Sequence, residues 1–83
     1  MEHRQHNLKI RPEYYTAITW GVKKFEVRYN DRDYKIGDIL HLQEWSENGY
    51  TGKAVNVIVT YILSDTQFVK EGYIIMSLKV LSN

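Results

Sequence analysis

The stretch KAVNVIVTYIL, residues 53–63, carries the strongest structural pattern in the chain. On an extended strand, its apolar side chains fall on both faces. One face receives Val55, Val57, Val59 and Tyr61, and the other receives Ile58 and Ile62. A strand that is apolar on both faces is usually central in a sheet or wraps around a barrel. The stretch therefore predicts the centre of a β-rich fold.

The rest of the chain supplies one helix and four more strands. Strands are predicted in HNLKI (6–10), GVKKFEVR (21–28), ILHLQEW (39–45) and YIIMSLKV (73–80). A helix is predicted in RPEYYTAITWG (11–21), because Pro12 suits the first helical turn and Gly21 suits the left-handed residue that ends a helix. The order predicts a mainly β, α+β fold, a small and mostly antiparallel five-stranded barrel with one helix after the first strand.

Length and composition restrict the class of protein. The chain has 83 residues, of which 43% are hydrophobic and 25% charged, and it has no cysteine. These values predict a single soluble domain over residues 1–83, with an ordered core over about 6–80, and no disulfides. No apolar run reaches the roughly 18 residues that cross a bilayer, and the polar segment MEHRQHN lacks the apolar core of a secretory signal. We expect a cytoplasmic protein without membrane contact, and a monomer by default.

Charge is unevenly distributed along the chain. Residues 1–36 carry eight Lys/Arg and five Asp/Glu, whereas residues 37–83 carry three and five, for a net charge of +1. A basic half permits a local anion-binding face. Random scatter of surface charge explains the same numbers, so the charge distribution alone does not establish an anion-binding face.

The stretch GVKKFEVR concentrates charge on one short strand. By alternation, we expect the apolar side chains to face the barrel interior and the charged ones to face away. The first group is Phe25, Val27 and Tyr29, and the second is Lys24, Glu26 and Arg28. If the charged face simply meets water, its ion pairs contribute only about 0–1 kcal/mol. The strand is then amphipathic and holds no ligand.

The same stretch resembles the Gly-x-Lys-x-x-Glu-x-Arg signature of ASCH domains (activating signal cointegrator homology), which belong to the PUA-like barrels. The similarity continues, in the same order, through NDRDYKIGDILHLQEW, GYTGKAVNVIVTYIL and EGYIIMSL, as in a small bacterial and phage branch of that family. It covers roughly residues 6–80. The resemblance implies a PUA-like five-stranded barrel with a helix after the first strand.

The resemblance also implies a function. In ASCH domains the signature residues line a cleft proposed to hold RNA or a nucleotide, so Lys23 and Arg28 would supply positive charge on either side of Glu26. Lys24 is a neighbouring charge. Strict strand alternation places Lys23 on the opposite face of the strand from Glu26. A cleft that contains both side chains therefore requires the turn at Gly21 to interrupt the strand. No cofactor is implied.

Aromatic residues near the loop SENGYTG (46–52) are further candidates. Trp45 and Tyr50 could each stack on a base, which is worth about 1–3 kcal/mol. Packing in the core is the alternative for both. The candidate nucleic-acid-binding residues are therefore Lys23, Lys24, Glu26, Arg28, Trp45 and Tyr50.

Metal binding is not predicted. His3, His6 and His41 are joined by no carboxylate or cysteine cluster. Asp38 is interpreted as a turn residue. Glu44 ends its strand, where an acidic side chain could face a cleft.

Three classes of function remain open. The first is a module that binds RNA or a nucleotide; the modest charge favours single strands over duplexes. The second is a hydrolase. Some small ASCH relatives are amidohydrolases that act on acetylated cytidine, and ribonuclease activity is attributed to the wider family. The third is an interaction protein without a ligand pocket.

The hydrolase hypothesis is weakened by two departures from the pattern. The amidohydrolases use the signature lysine, a threonine and a further glutamate from a helical insertion before the last strand. This chain has Lys23, but Glu26 stands at the threonine position, and the connection SDTQFVKEG (64–72) is too short for such a helix. Asp65 or Glu71 would replace the missing glutamate only by coincidence. Lys23 and Glu26 are thus catalytic candidates only if the protein is an enzyme.

Overall fold

A computed structural model describes residues 4–82, except for the side chain of Ser82. Its elements are β1 (Gln5–Ile10), α1 (Pro12–Thr19), β2 (Phe25–Tyr29), β3 (Ile39–Ser46), β4 (Gly49–Leu63) and β5 (Tyr73–Ser82). Within this part of the chain, the five strands form one curled sheet, a half-barrel, in the order β1-β3-β4-β5-β2. Strands β1 and β3 are parallel, and the other neighbours are antiparallel. The predicted mainly β fold, with a helix after the first strand, is confirmed.

The core lies inside the curl of the sheet, with the long strand β4 at its centre. Val55, Val57 and Val59 point inward and are fully buried, as the sequence predicts. Leu42 of β3 and Met76 of β5 complete this layer from the two neighbouring strands. Burial of such side chains, each worth about 1.5–3 kcal/mol, supplies the main driving force of folding.

A β-bulge in β4 changes the face of its last residues. The register with β5 shifts between Val59 and Tyr61, so the inward alternation is reset by one residue. Tyr61 is therefore exposed, and Ile62 packs against the core instead. The expectation that Tyr61 shares the face of Val59 is wrong, because simple alternation assumes an unbroken ladder.

Helix α1 begins and ends where the sequence predicts. Pro12 occupies its first turn, and Ile18 is buried against the sheet. Gly21 has φ of +78°, and its N–H donates to the carbonyl of Ile18 at 3.0 Å, while the N–H of Val22 donates to the carbonyl of Ala17 at 2.9 Å. These two bonds form a Schellman motif, which ends the helix and reverses the chain before β2.

The predicted orientation of β2 is wrong. Phe25 and Val27 are 46% and 49% exposed, and Tyr29 is also exposed, whereas Glu26 is only 5% exposed. Glu26 pairs with Met76, which is fully buried, so both side chains point to the inner side of the sheet. Strand β2 is an edge strand, and its inner face meets charged partners rather than apolar ones. The prediction from alternation assumes that the apolar side chains face the interior, and it therefore assigns the inner face of β2 to Phe25, Val27 and Tyr29 instead of Glu26.

Asp38 is a buried hub rather than a simple turn residue. Its carboxylate accepts hydrogen bonds at 2.9 Å from Arg4 Nη2, from His6 Nε2 and from the backbone N–H of Lys35. Arg4 also donates to the carbonyl of Asp33. Burial alone raises the pKa of Asp38, but the hydrogen bonds from Arg4, His6 and Lys35 outweigh it and hold the pKa below its ordinary value of 3.8. The hub joins the start of β1 to the turn before β3.

We predict that Asp38 makes the protein sensitive to acid. Because its pKa is lower in the folded state, its contribution to the free energy of unfolding is present above pH 4 or so and is lost as the pH falls through the folded value. Urea unfolding between pH 6 and pH 3 should show a steeper loss, by at most about 1.4 kcal/mol per pH unit, in the wild type than in Asp38→Asn. The exposed Asp33→Asn is the control and should keep the wild-type slope. Equal slopes for all three proteins would contradict this role.

Candidate nucleic-acid-binding cleft

The two edge strands of the sheet, β1 and β2, face each other across an open cleft. They do not pair with each other within residues 4–82. The cleft has a volume of about 600 Å³. Its charged lining residues, among those described, are the cations Lys9, Arg11, Lys23 and Arg28 and the carboxylate Glu26. The local charge is therefore positive, although the whole chain is nearly neutral.

Glu26 lies at the centre of this arrangement. Lys23 Nζ donates to its Oε1 at 2.8 Å, and Arg28 Nε donates to its Oε2 at 2.7 Å. The exposed fractions of the three side chains are 7% for Glu26, 15% for Lys23 and 25% for Arg28. A buried carboxylate is costly unless it is paired and hydrogen-bonded, and here each of its oxygens has a cationic donor. The three side chains therefore hold one another in a fixed geometry.

The turn after α1 brings Lys23 to Glu26. Strand β2 starts only at Phe25, so Lys23 precedes the strand and does not follow its alternation. Lys23 Nζ also donates to the carbonyl of Phe25 at 2.7 Å. The interruption that the sequence pattern required at Gly21 is therefore present in the structure.

Two arginine side chains reach β1, Arg28 from β2 and Arg32 from the loop that follows β2. Arg28 Nη2 donates to the carbonyl of Lys9 at 2.7 Å, and Arg32 Nη1 donates to the carbonyl of Asn7 at 3.0 Å. Both acceptors lie on β1. Side chains thus satisfy carbonyls of an edge strand that has no neighbouring strand on this side.

Donor hydrogens of the cationic pair remain available to a ligand. Arg28 Nη1 has no hydrogen-bond partner among the described residues, and Lys23 Nζ uses two of its three hydrogens on Phe25 and Glu26. The Lys23 ammonium also lies 4.8 Å from the ring centre of Phe25 and 5.3 Å from that of Tyr14. The cleft therefore combines free cationic donors with aromatic walls.

The other sequence candidates lie outside this cleft. Lys24 is exposed and does not line the cleft; with Leu78 and Val80 it lines a different pocket, which Lys23 also borders. Trp45 and Tyr50 face each other across the β3–β4 hairpin. Lys9 Nζ lies 4.8 Å from the Trp45 ring centre and 5.8 Å from that of Tyr50, so the hairpin adjoins the cleft.

Sequence reasoning missed three residues that line the cleft, Lys9, Arg11 and Tyr14. Lys9 belongs to β1 and Tyr14 to α1, and Arg11 lies between these elements as the N-cap residue of the helix, so none of them belongs to the charged stretch. The clustering of Lys/Arg in residues 1–36 was a weak signal, but only the sheet order shows that β1 and β2 are the two edges.

Other acidic and histidine residues do not join the cleft. Glu44 is buried and accepts a hydrogen bond from Thr51 Oγ1 at 2.7 Å, and it does not line the cleft. His41 Nδ1 lies 2.7 Å from Asn56 Oδ1, and His3 falls outside the described residues.

Within residues 4–82, no group of three or more His, Asp or Glu side chains could hold a metal ion. Over the same range, no helix has the length and apolar character to cross a membrane.

Comparison with known proteins places the cleft inside a recognised domain. The family model described as "Domain of unknown function (DUF3850)" matches residues 5–78. A protein of Escherichia phage P2, "Uncharacterized 12.9 kDa protein in GpA 3'region", is 31% identical over 71 residues. The alignment covers 86% of this chain and 64% of the phage protein, so the chain spans less than two thirds of that relative.

We predict that Glu26→Gln destabilises the fold. The amide keeps the shape of the side chain but leaves Lys23 and Arg28 without a charged acceptor, which should lower the free energy of unfolding by roughly 2–3 kcal/mol. Glu13→Gln is the matched control, because Glu13 forms an exposed ion pair with Arg11 at 3.4 Å and should change stability by less than about 1 kcal/mol. Chemical denaturation measures both. A silent Glu26→Gln variant would mean that the ion triad contributes nothing to stability.

Proposed function

We propose that this chain, which belongs to the DUF3850 family, binds single-stranded RNA or a nucleotide in the cleft between β1 and β2. The observation that carries the proposal is the pair Lys23 and Arg28, which the buried Glu26 holds in place with donor hydrogens still free. We also propose that the domain is of the ASCH type within the PUA-like barrels, because Gly21, Lys23, Glu26 and Arg28 act together as that signature implies.

The pair suits a phosphate or a base edge. A guanidinium presents a planar fork of donors to phosphate or base oxygens, and an ammonium supplies a compact charge. Because Glu26 fixes both groups before a ligand arrives, little side-chain entropy is lost on binding. Such pre-positioning compensates for the small number of charges in the cleft.

The walls of the cleft favour an unpaired base over a duplex. Tyr14 and Phe25 offer aromatic surface beside the cations, and stacking of this kind is open only to bases outside a helix. Duplex binding relies on many phosphate contacts, and the net charge of +1 supplies few. A single strand or a free nucleotide is therefore the better ligand.

A small hydrolase is the second candidate, and the Lys23–Glu26 contact of 2.8 Å favours it. Both oxygens of Glu26 already pair with cations, however, so a proton transfer would first break an ion pair. The connection over residues 64–72 forms turns and contains no helix that would present a further glutamate. These observations favour binding without catalysis.

We predict that loss of either cation weakens binding. Lys23→Ala and Arg28→Ala should each reduce the affinity for a short single-stranded RNA by about 5- to 150-fold, equivalent to about 1–3 kcal/mol. Lys24→Ala removes the same charge from the next residue and should change affinity by less than about threefold, because Lys24 lies outside the cleft. Fluorescence anisotropy measures affinity, with circular dichroism to confirm that each variant is folded.

The same set of variants separates the alternative functions. If Lys23→Ala and Arg28→Ala bind RNA as the wild type does, the cleft is not the site. If the wild type binds no RNA and no nucleotide, the interaction-protein alternative is favoured. Release of acetate from acetylated cytidine, or cleavage of the RNA, would favour the hydrolase if it depends on Lys23.

We retain the cytoplasm as the proposed location, which suits a cysteine-free chain with the proposed RNA ligand.

A further inference from the structure

The cleft and the β3–β4 hairpin are two parts of one surface. Lys9 lines the cleft, and its ammonium lies over the rings of Trp45 and Tyr50. Arg11 lines both the cleft and a second cavity of about 520 Å³ beside Trp45. Two exposed cations, Lys9 and Arg11, thus connect the two cavities.

From this continuity we propose that the ligand is a single-stranded oligonucleotide that runs from the cleft, across Lys9 and Arg11, onto the aromatic hairpin. The inference rests on the proposed function and adds to it the length of the ligand and a second contact region. Each cavity has the volume of a site for one small ligand. A ligand that occupies both cavities and crosses the cations between them therefore has at least two nucleotides.

The hairpin has the chemistry of a stacking platform. Tyr50 is 57% exposed, and Trp45 lies directly opposite it on the neighbouring strand. An exposed cation–π contact such as that of Lys9 is worth roughly 2- to 5-fold in affinity, whereas stacking of a base is worth roughly 5- to 150-fold. A base therefore displaces the Lys9 ammonium from the rings, and the ammonium moves to the adjoining phosphate.

The charges between the cavities suit a phosphate backbone. Lys9 and Arg11 lie along the path, and Arg28 marks its inner end through the hydrogen bond to the Lys9 carbonyl. Glu13 neutralises part of Arg11 through an exposed pair at 3.4 Å, and Glu47 lines the outer cavity. The surface is thus positive at its centre and mixed at its outer end, where aromatic stacking supplies the contact.

The experiment compares ligands of one and five nucleotides. The probes are the four ribonucleoside 5′-monophosphates and fluorescein-labelled pentanucleotides of mixed sequence, one of RNA and one of DNA. The wild type should bind the RNA pentamer at least tenfold more tightly than any mononucleotide. Trp45→Ala and Tyr50→Ala should each weaken pentamer binding by roughly 5- to 150-fold. Neither variant should change mononucleotide affinity by more than about twofold. A DNA pentamer that binds equally well would extend the ligand class to both nucleic acids.

Trp20→Ala is the matched control. Trp20 is 78% exposed and lines none of the cavities described above, so its loss should leave pentamer affinity unchanged. Trp45 is half-buried, so Trp45→Ala removes packing as well as the stacking surface. Tyr50 is mostly exposed, so Tyr50→Ala removes a stacking ring with little effect on folding.

The outcomes distinguish this inference from the proposed function. If the pentamer binds no more tightly than a mononucleotide, or if Trp45→Ala and Tyr50→Ala bind it as the wild type does, the extended path is wrong. The cleft itself then still stands, provided that Arg28→Ala weakens mononucleotide binding. If pentamer binding depends on Trp45 but not on Lys23 or Arg28, the proposed cleft is wrong, and the path that starts in it is wrong as well. If neither probe binds, both proposals are overturned.

Discussion

The carboxylate of Glu26 is the group on which the arrangement of the cleft depends. It is buried at the inner face of an edge strand, where an apolar side chain would be expected. Its two oxygens hold Lys23 and Arg28, and Arg28 continues to the carbonyl of Lys9 on the opposite edge of the sheet. Side-chain ion pairs and hydrogen bonds, rather than strand pairing, therefore bridge the open side of the half-barrel. Because these contacts leave room between β1 and β2, the two edges are held together and the cleft stays accessible.

Strand β1 is held at both of its ends by this kind of interaction. At its start, Arg4 and His6 bond to the buried carboxylate of Asp38. At its end, Arg28 bonds to the carbonyl of Lys9. Between these points β1 pairs with β3 in parallel register, and within residues 4–82 no strand pairs with its other edge. On that edge Arg28 and Arg32 donate to the carbonyls of Lys9 and Asn7, and these contacts keep the edge in position beside the cleft.

The sequence predicts the architecture better than it predicts the site. Val55, Val57 and Val59 stand in an uninterrupted alternation on a long strand, so local pattern decides their burial. Tyr61 was misplaced because a bulge is not visible in side-chain alternation. Glu26 was placed on the wrong face, because apolarity normally identifies the inner face, and here an ion triad occupies it. The charged stretch contributes Lys23, Glu26 and Arg28 to the cleft, but Lys9, Arg11 and Tyr14 join them only through the sheet order, which depends on long-range pairing.

The most direct measurement is a double-mutant cycle between Glu26→Gln and Arg28→Met, read as free energies of unfolding. If the buried carboxylate organises the closure, the two substitutions remove the same interaction, and we predict a coupling energy of about 1–3 kcal/mol. The double variant should then be only slightly less stable than the less stable of the two single variants. Effects that add to within about 0.5 kcal/mol would show that the two side chains act independently. That result would contradict the central role assigned to Glu26.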